Sequence, residues 1–317
     1  MKAPLPRMVT PCADLVALPD TSEWHELRRT GVTASEIAGV LGLAPDSWLS
    51  PFSLYWRKKG AVPDVIETES MRWGKRLEAP VADEFADRHP EFQVIETGLV
   101  RNRERPWQLA TPDRLLFESR EHSLISPVAP LEVKTGADYA GEWGDEGTDE
   151  IPVYYRCQAL WQADTLGLER THVALLGDGR RYREYVVERD EGDLSLMRDE
   201  AEEFLRRLDE DRPPPVDGAP STLAALRHLH PTVADYDVEV SRTRRDAYTA
   251  ACRWYARAEA AKKREEARLR SLIGDGHRAV HDGEPVATRV VFDRKPYEVG
   301  PTTVHQLRAA KRKARTP

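Results

Sequence analysis

The sequence predicts an α/β protein in which helices flank a central mixed β-sheet, with a helical extension at the C-terminus. Two observations support this fold class. Segments with helical spacing of apolar residues come before and after a block of short alternating segments, an order typical of helices packed on a sheet. Beyond a proline-rich break, a long segment rich in Arg, Ala, Lys and Glu predicts one further helix.

Helices are predicted first along the chain. Residues 22–30 and 36–41 have the composition of short helices, and Thr33 or Ser35 can cap the second. Helical spacing of apolar side chains is clearest over residues 71–89. The other helices of this part of the chain are predicted at residues 51–60, 151–166 and 193–208.

The middle of the chain predicts the sheet. Residues 131–135 form one strand, and the turn residues at 177–179 predict a hairpin between residues 171–176 and 182–187. Further strands are predicted at residues 92–101, 107–111 and 115–117.

Three regions are expected from the composition. Residues 1–212 hold the sheet with its helices, residues 213–220 are a proline-rich linker, and residues 221–317 are basic and mostly helical. The last region contains a helix over residues 241–272, one or two small strands at 286–292 and a basic tail at 311–315.

The net charge of −7 is unevenly distributed. Residues 241–317 carry about +10, which leaves about −17 on residues 1–240. Two acidic runs, at 138–150 and 188–211, are solvated faces or loops, and they cannot follow a DNA path because they would repel phosphate.

The composition also bounds the compartment. No apolar run approaches the length of a membrane span, and the N-terminus lacks the apolar core of a signal peptide, so we expect a cytoplasmic protein. Cys12, Cys157 and Cys252 form no zinc or iron–sulfur pattern, and their scatter suits a reducing compartment.

Chemistry is indicated by Asp113 and by Glu132-Val133-Lys134. Residues i and i+2 of a strand face the same side, so Glu132 and Lys134 point together, and Asp113 meets them if the two segments pair as a hairpin. Carboxylates are hard ligands for Mg²⁺ or Mn²⁺, with a cation beside the water that the metal activates. The spacing therefore predicts a metal-dependent nuclease. An exposed strand edge carrying an ion pair is the alternative.

Glu78 lies on the predicted 71–89 helix, just before the strands. It is either a third carboxylate of the metal site or a surface residue paired with Lys75. Gln158 shares a helix face with Tyr155 and Gln162, which suggests that this face meets a wet cavity.

Arg28 and Ser35 form a candidate anion site. A hydroxyl, a nearby arginine and a helix N-terminus together favour a bound phosphate. Ser35 is equally well explained as a helix cap or a small buried residue.

These segments, in this order, resemble the YqaJ-type viral recombinases, the lambda-exonuclease-like branch of the PD-(D/E)xK nucleases. The resemblance covers roughly residues 22–190 and implies a restriction-endonuclease-like core. The matching motifs lie at residues 31–36, 41–43, 50–51, 74–78, 111–113, 131–134 and 151–158.

The resemblance implies 5′→3′ digestion of linear double-stranded DNA with two Mg²⁺ ions. It implies that Asp113, Glu132 and the Val133 carbonyl are metal ligands and that Glu78 is a further acid of the metal site. By the same resemblance, Lys134 positions or deprotonates the attacking water.

Further roles are implied in the same way. Gln158 would orient the water or the metal shell, and Arg28 with Ser35 would hold the terminal 5′-phosphate. The family also implies a ring-shaped homotrimer and a single-strand annealing protein as partner.

The chain departs from the family pattern at three places. Thr33-Ala34 replace two glycines, Leu160 replaces a second glutamine, and Arg114 follows the acid and adds a cation close to the substrate path. Two alternatives stay open: an endonuclease or other repair nuclease of the same fold, and a non-catalytic DNA-binding scaffold.

Overall fold

The sheet and its helices are built from many short elements. The structure, a computed structural model, describes residues 8–64, 67–119, 126–136 and 141–293. The chain divides into two units, Met1–Pro231 and Thr232–Pro317. The first unit contains β1 Met8–Thr10, β2 Ala13–Ala17, α1 Ser22–Thr30, β3 Val32–Thr33, α2 Ile37–Val40, α3 Pro51–Lys58, α4 Glu69–Arg88, β4 Phe92–Glu96, β5 Leu99–Asn102, β6 Gln108–Ala110, β7 Arg114–Glu118, β8 Ala129–Gly136, α5 Val153–Leu166, β9 Arg170–Gly177, β10 Arg181–Glu188, α6 Glu191–Asp209 and α7 Pro220–Leu229.

The strands of the first unit form two five-stranded mixed sheets. One has the order β1-β2-β5-β6-β3 and the other the order β10-β9-β8-β7-β4. Only β3–β6 and β8–β9 are parallel among the described pairs. The predicted fold class, mixed sheet flanked by helices, is confirmed, with its strands divided between two sheets.

The strand pairing that the motif requires is present. β7 and β8 are antiparallel, with Arg114 opposite Leu131. Leu131 and Val133 pack against Val81 and Phe85 of α4. Glu132 lies between them in sequence and therefore projects from the other face of the sheet. The alternation predicted from the sequence thus separates packing residues from the candidate site.

Helix α5 occupies the centre of the core. Trp161 is fully buried, and its indole Nε1 donates to the Val32 carbonyl at 3.2 Å. This bond satisfies the one polar atom of a large apolar side chain. It also fixes α5 beside the short strand β3. Gln158 on α5 and the 31–36 segment, which contains β3, therefore keep a defined separation.

Two predictions of local structure were wrong. The strand predicted at 92–101 is two strands, β4 and β5, which belong to different sheets. They separate at Gly98, where a Cβ atom would lie 2.3 Å from the Ala17 carbonyl. The cap predicted for the second helix is also absent: α2 begins after Glu36 with no side-chain cap, because the Glu36 carboxylate turns back to Thr33. Strands β1 and β2 were not predicted.

The region after α6 contributes to the first unit. α7 packs against α3, and the Ser50 hydroxyl, which caps α3, hydrogen-bonds the Thr222 hydroxyl at 2.7 Å. Ser50 and Thr222 are both buried. Compact structure therefore continues beyond the proline-rich segment as far as Pro231.

The second unit is built on one long helix, α8 Arg242–Ile273, followed by β11 Arg278–His281 and β12 Glu284–Thr288. The two strands form an antiparallel hairpin, and none of the α8 residues is buried. Of the segment predicted as one or two strands at 286–292, only the start coincides with β12. The basic tail predicted at 311–315 lies outside the described residues. No described helix has both the length and the apolar character that crossing a membrane requires.

Candidate active site

A single cleft of about 990 Å³ contains most of the predicted site residues. Its walls come from α1, the 31–36 segment, α4, the turn before β7, β8 and α5. Val133 and Lys134 are not among the lining residues but adjoin them on β8. The predicted residues that line the cleft are Arg28, Ser35, Glu78, Asp113, Arg114, Glu132 and Gln158.

Asp113 is held by the backbone of the neighbouring strand. Its Oδ2 accepts a hydrogen bond from the Val133 amide at 2.7 Å. Burial raises the pKa of Asp113 well above its usual value, and the negative charges of Glu132 and Glu78 raise it further against the opposing effect of Lys134. The Asp113 carboxyl therefore faces more negative than positive charge, which is the electrostatic setting that favours a bound cation.

Glu132 accepts hydrogen bonds from three side chains. Lys134 Nζ lies 2.6 Å and Gln158 Nε2 lies 2.5 Å from Oε1, and Gln162 Nε2 lies 2.5 Å from Oε2. The carboxylate is 5% exposed, so these donors replace the water that it has lost. Gln162 was noted on the α5 face but not predicted as a site residue. It is fully buried and orients Glu132 from behind.

Lys134 is a partly buried cation between Glu132 and Tyr155. Its Nζ also donates to Gln158 Oε1 at 3.0 Å and lies 4.5 Å from the centre of the Tyr155 ring. Burial lowers the pKa of Lys134, but the charges of Glu132, Tyr155 and Asp113 together with the Glu132 hydrogen bond outweigh it, so the pKa lies above its usual value. The ammonium form is therefore the one that the described contacts stabilise.

Glu78 belongs to the cleft and does not pair with Lys75. Arg114 Nη1 donates to Glu78 Oε1 at 2.6 Å and to the Asp113 carbonyl at 2.6 Å, whereas Lys75 pairs with Glu67 at 3.2 Å. The alternative interpretation of Glu78 as the partner of Lys75 is thus wrong. Arg114 links the α4 carboxylate to the turn that carries Asp113.

Arg28 and Ser35 lie together on one wall of the cleft. Along the chain, both come before the other predicted site residues. Arg28 Nη2 donates to the Ser35 hydroxyl at 3.4 Å, and its guanidinium lies 4.2 Å from the centre of the Trp24 ring. Within the described residues Arg28 forms no ion pair, so its charge is available to an anion in the cleft. Ser35 is exposed rather than a buried residue or a cap.

A buried ion pair that the sequence did not reveal holds this corner together. Lys58 Nζ lies 2.7 Å from Glu36 Oε2, and it donates to the carbonyls of Arg28 at 2.5 Å and Gly31 at 2.6 Å. Glu36 Oε2 also accepts from the Thr33 amide and hydroxyl at 3.0 and 2.9 Å. Burial raises the pKa of Glu36, but Lys58 and Arg28 outweigh it, so the pKa is lowered and the carboxylate is charged.

Part of the chain is similar to a known domain family. Residues 23–169 match the sequence profile described as the YqaJ-like viral recombinase domain. This segment is therefore similar to the YqaJ-like viral recombinase domain. All nine predicted site residues, from Arg28 to Gln158, fall inside the matched range. None of the curated proteins matches the chain in sequence.

Several solved structures are similar to this chain. The alkaline exonuclease LHK-Exo of Laribacter hongkongensis is 19% identical with a TM-score of 0.46, over 61% of this chain and 94% of that one. A structure of LHK-Exo in complex with dAMP gives the same coverage at 20% identity. A phage-related exonuclease of Haemophilus somnus 129PT is 10% identical with a TM-score of 0.41, over 57% and 94% of the two chains.

The donor set of the cleft suits a hard divalent cation. Asp113, Glu132 and Glu78 supply carboxylate oxygens, and these are the ligands that Mg²⁺ and Mn²⁺ prefer. In the part of the chain that the structure describes, no three His, Cys, Asp or Glu side chains gather into a ready metal site. Lys134 and the two glutamines hold Glu132, and Arg114 holds Glu78, so protein donors satisfy these carboxylates.

Proposed function

We propose that the YqaJ-like domain is a metal-dependent deoxyribonuclease that degrades linear double-stranded DNA from its 5′ ends, acting in the cytoplasm in phage-type recombination. One observation supports the proposal most directly. Asp113 and Glu132 line one part of the cleft with Lys134 adjoining them, and Arg28 with Ser35 lies on the wall of the same cleft. A hydrolytic centre beside an anion site is what removal of nucleotides from a phosphorylated end requires.

Mg²⁺, with Mn²⁺ as a substitute, is the proposed cofactor, as two ions per site. Asp113, Glu132 and the Val133 carbonyl would hold the metal, and Glu78 is the further acid of the site. Bound there, the cation would activate water and neutralise charge on the phosphate. Asp113 fits this role because its carboxyl faces an excess of negative charge.

Lys134 and Gln158 are proposed to position the attacking water. Lys134 Nζ is fixed by Glu132 and Gln158, and Gln158 Oε1 and Nε2 bridge the two charged groups. The lysine therefore presents a cation at a defined point without needing to move. Such preorganisation is the main contribution that a protein makes to phosphoryl transfer.

The direction of digestion, from the 5′ end, is proposed from the position of Arg28 and Ser35. A terminal 5′-phosphate would accept hydrogen bonds from the guanidinium and the hydroxyl, with Trp24 supporting the arginine from one side. Arg114 supplies a second cation close to Asp113. The proposal extends to a homotrimeric ring and to a single-strand annealing protein as partner, both from the family. A strict monomer in equilibrium sedimentation would contradict the ring.

The proposal is tested by following nucleotide release from linear double-stranded DNA. We expect release in Mg²⁺ that stops with EDTA, is faster from 5′-phosphorylated than from 5′-hydroxyl ends, and falls by about 10³-fold or more in Lys134→Ala. Lys75→Ala is the matched control, because Lys75 also lines the cleft but pairs with Glu67, and it should keep most of the activity.

Other outcomes would redirect the proposal. Normal turnover by Lys134→Ala would exclude this lysine from the chemistry. Cleavage of closed circular DNA at the same rate as linear DNA would indicate an endonuclease. Binding of DNA ends without release, in Mg²⁺ and in Mn²⁺, would indicate a scaffold.

A further inference from the structure

Helix α8 presents an unusually basic surface. Its 32 residues include ten Lys and Arg and four Asp and Glu, and none of the 32 is buried. A helix of this length extends about 48 Å. Because packing does not bury its side chains, the long charged residues of α8 are available to a partner.

Three arginines of α8 lie on one face. Arg253, Arg257 and Arg264 occupy positions i, i+4 and i+11, which places them within about 40° of one another around the helix axis. They span about 16 Å along the axis, a distance comparable to about five phosphates of one DNA strand. All three side chains are exposed. We call this set the arginine stripe.

Ion pairs distinguish the stripe from other basic residues of the helix. Lys262 pairs with Glu266, Lys263 with Glu259 and Arg268 with Glu265, at 3.6, 2.9 and 2.6 Å. Within the described part of the chain, no carboxylate lies within ion-pairing distance of the arginine stripe. Arg244 and Arg270 are likewise without an ion pair there, but they project from other sides of the helix.

We propose that the arginine stripe binds the phosphates of double-stranded DNA. Charge complementarity decides the partner: residues 1–240 carry about −17 and would repel DNA at long range, so a separate basic surface is the part of this chain that attracts it. Arginine forms bidentate hydrogen bonds with phosphate, and guanidiniums that have no carboxylate partner need not break a bond to do so. The inference rests on the proposed function for its choice of DNA.

Binding is measured apart from cleavage. Fluorescence anisotropy of a labelled duplex of about 30 base pairs, about twice the length of α8, would be followed with the full chain in EDTA over a series of salt concentrations. The test variant is Arg253→Gln/Arg257→Gln/Arg264→Gln. The control is Lys262→Gln/Lys263→Gln/Arg268→Gln, which removes the same charge from the same helix. Glutamine keeps helix propensity, and circular dichroism checks helix content.

Each phosphate contact contributes about 0.9 to the slope of log affinity against log salt. Losing three contacts should lower that slope by roughly 2.7 and weaken binding roughly 100-fold at about 0.15 M salt. The control should change affinity only a few-fold. This result would support DNA binding by the arginine stripe even if the chain cleaves no DNA. A failure of this proposal can therefore be distinguished from a failure of the proposed function.

Three results would overturn the proposal. The stripe variant could keep its affinity for DNA, both variants could lose the same affinity for DNA, or the stripe variant could lose affinity only for an anion other than DNA. The last is examined with vesicles of equimolar phosphatidylserine and phosphatidylcholine. If the stripe variant loses vesicle binding and keeps DNA binding, the stripe is a membrane surface.

Discussion

The Lys58 ammonium fixes the backbone on both sides of the proposed phosphate site. It donates to the Arg28 and Gly31 carbonyls at the end of α1, and its partner Glu36 holds the Thr33 amide. Gly31 separately allows the chain to approach β6 closely, since a Cβ atom there would lie 2.3 Å from the Trp107 carbonyl. The buried Lys58–Glu36 ion pair thus fixes the backbone from which the Arg28 and Ser35 side chains project.

We expect Lys58→Met to lower the free energy of unfolding by about 3–5 kcal/mol, because it leaves the Glu36 carboxylate buried without a cation. Adding Glu36→Gln to Lys58→Met should restore part of that loss, since no uncompensated charge remains. Urea unfolding measures both. Lys59→Met is the control, because Lys59 pairs with the exposed Asp211, and it should leave stability unchanged.

The same variants report on function. The double variant should digest 5′-phosphorylated and 5′-hydroxyl ends at more similar rates than the natural chain does, since Arg28 and Ser35 lose their fixed positions. Full discrimination in a folded double variant would show that the pair only stabilises the fold.

At the scale of elements, Asp164 of α5 joins segments that are distant in sequence. Its carboxylate is 1% exposed and accepts from Gln108, Arg189 and Arg198, each with one contact at 2.7 Å. Arg105 approaches at 3.3 Å. α5 is thereby tied to the start of β6, the end of β10 and α6. Burial opposes ionisation, but the bonds from Arg198, Gln108 and Arg189 lower the pKa of Asp164 to about 2.

This pKa predicts an acid-sensitive contribution to stability. The folded value is below the unfolded value of about 3.9, so the stabilisation is complete above about pH 4 and is lost as the pH falls towards 2. Asp164→Asn should lower the free energy of unfolding by about 2–3 kcal/mol at neutral pH. The difference in this free energy between the variant and the natural chain should become smaller in acid. Urea unfolding at several pH values measures this. Asp149→Asn, at an exposed ion pair, should show no such dependence.

How far the sequence predicts these elements depends on how local their determinants are. Helix α4 and strand β8 were predicted because their own apolar spacing reveals them, and β8 brought Glu132 and Lys134 with it. β2 was missed because a short strand with Asp14 in it shows no alternation. Lys58 was missed because it lies in an Arg-Lys-Lys run that is typical of an exposed helix end. Its carbonyl partners are 27 and 30 residues away.

At the scale of the whole molecule, the two units have opposite charge and different construction. The first has a buried core that spans both sheets, and the second presents a helix without a buried residue. The chemistry proposed for the first unit needs a few fixed side chains, whereas the binding proposed for the second needs exposed charge. Such a division lets DNA attraction and hydrolysis be altered separately.

Truncation separates these contributions and tests where the first unit ends. A chain that stops after Pro231 keeps α7, with Thr222 and Ala225 buried and Ser50 hydrogen-bonded to Thr222. We expect it to unfold at the same urea concentration as the first unit of the full chain. A chain that stops after Arg212 loses α7, and its free energy of unfolding should fall by about 2–4 kcal/mol from lost burial and one buried hydrogen bond.

Helix α3 connects α7 to the proposed 5′-phosphate site, so truncation should also affect function. Ser50 caps α3 at its start and Lys58 holds Arg28 at its end, so removal of α7 should weaken the 5′-phosphate preference as well as stability. The chain ending at Pro231 should keep that preference, bind DNA more weakly at about 0.15 M salt and lose affinity less steeply as salt rises, because it lacks the arginine stripe. If both truncations behave alike in urea and in end preference, α7 has no part in the first unit. If the longer one matches the full chain at every salt concentration, the second unit does not attract the substrate.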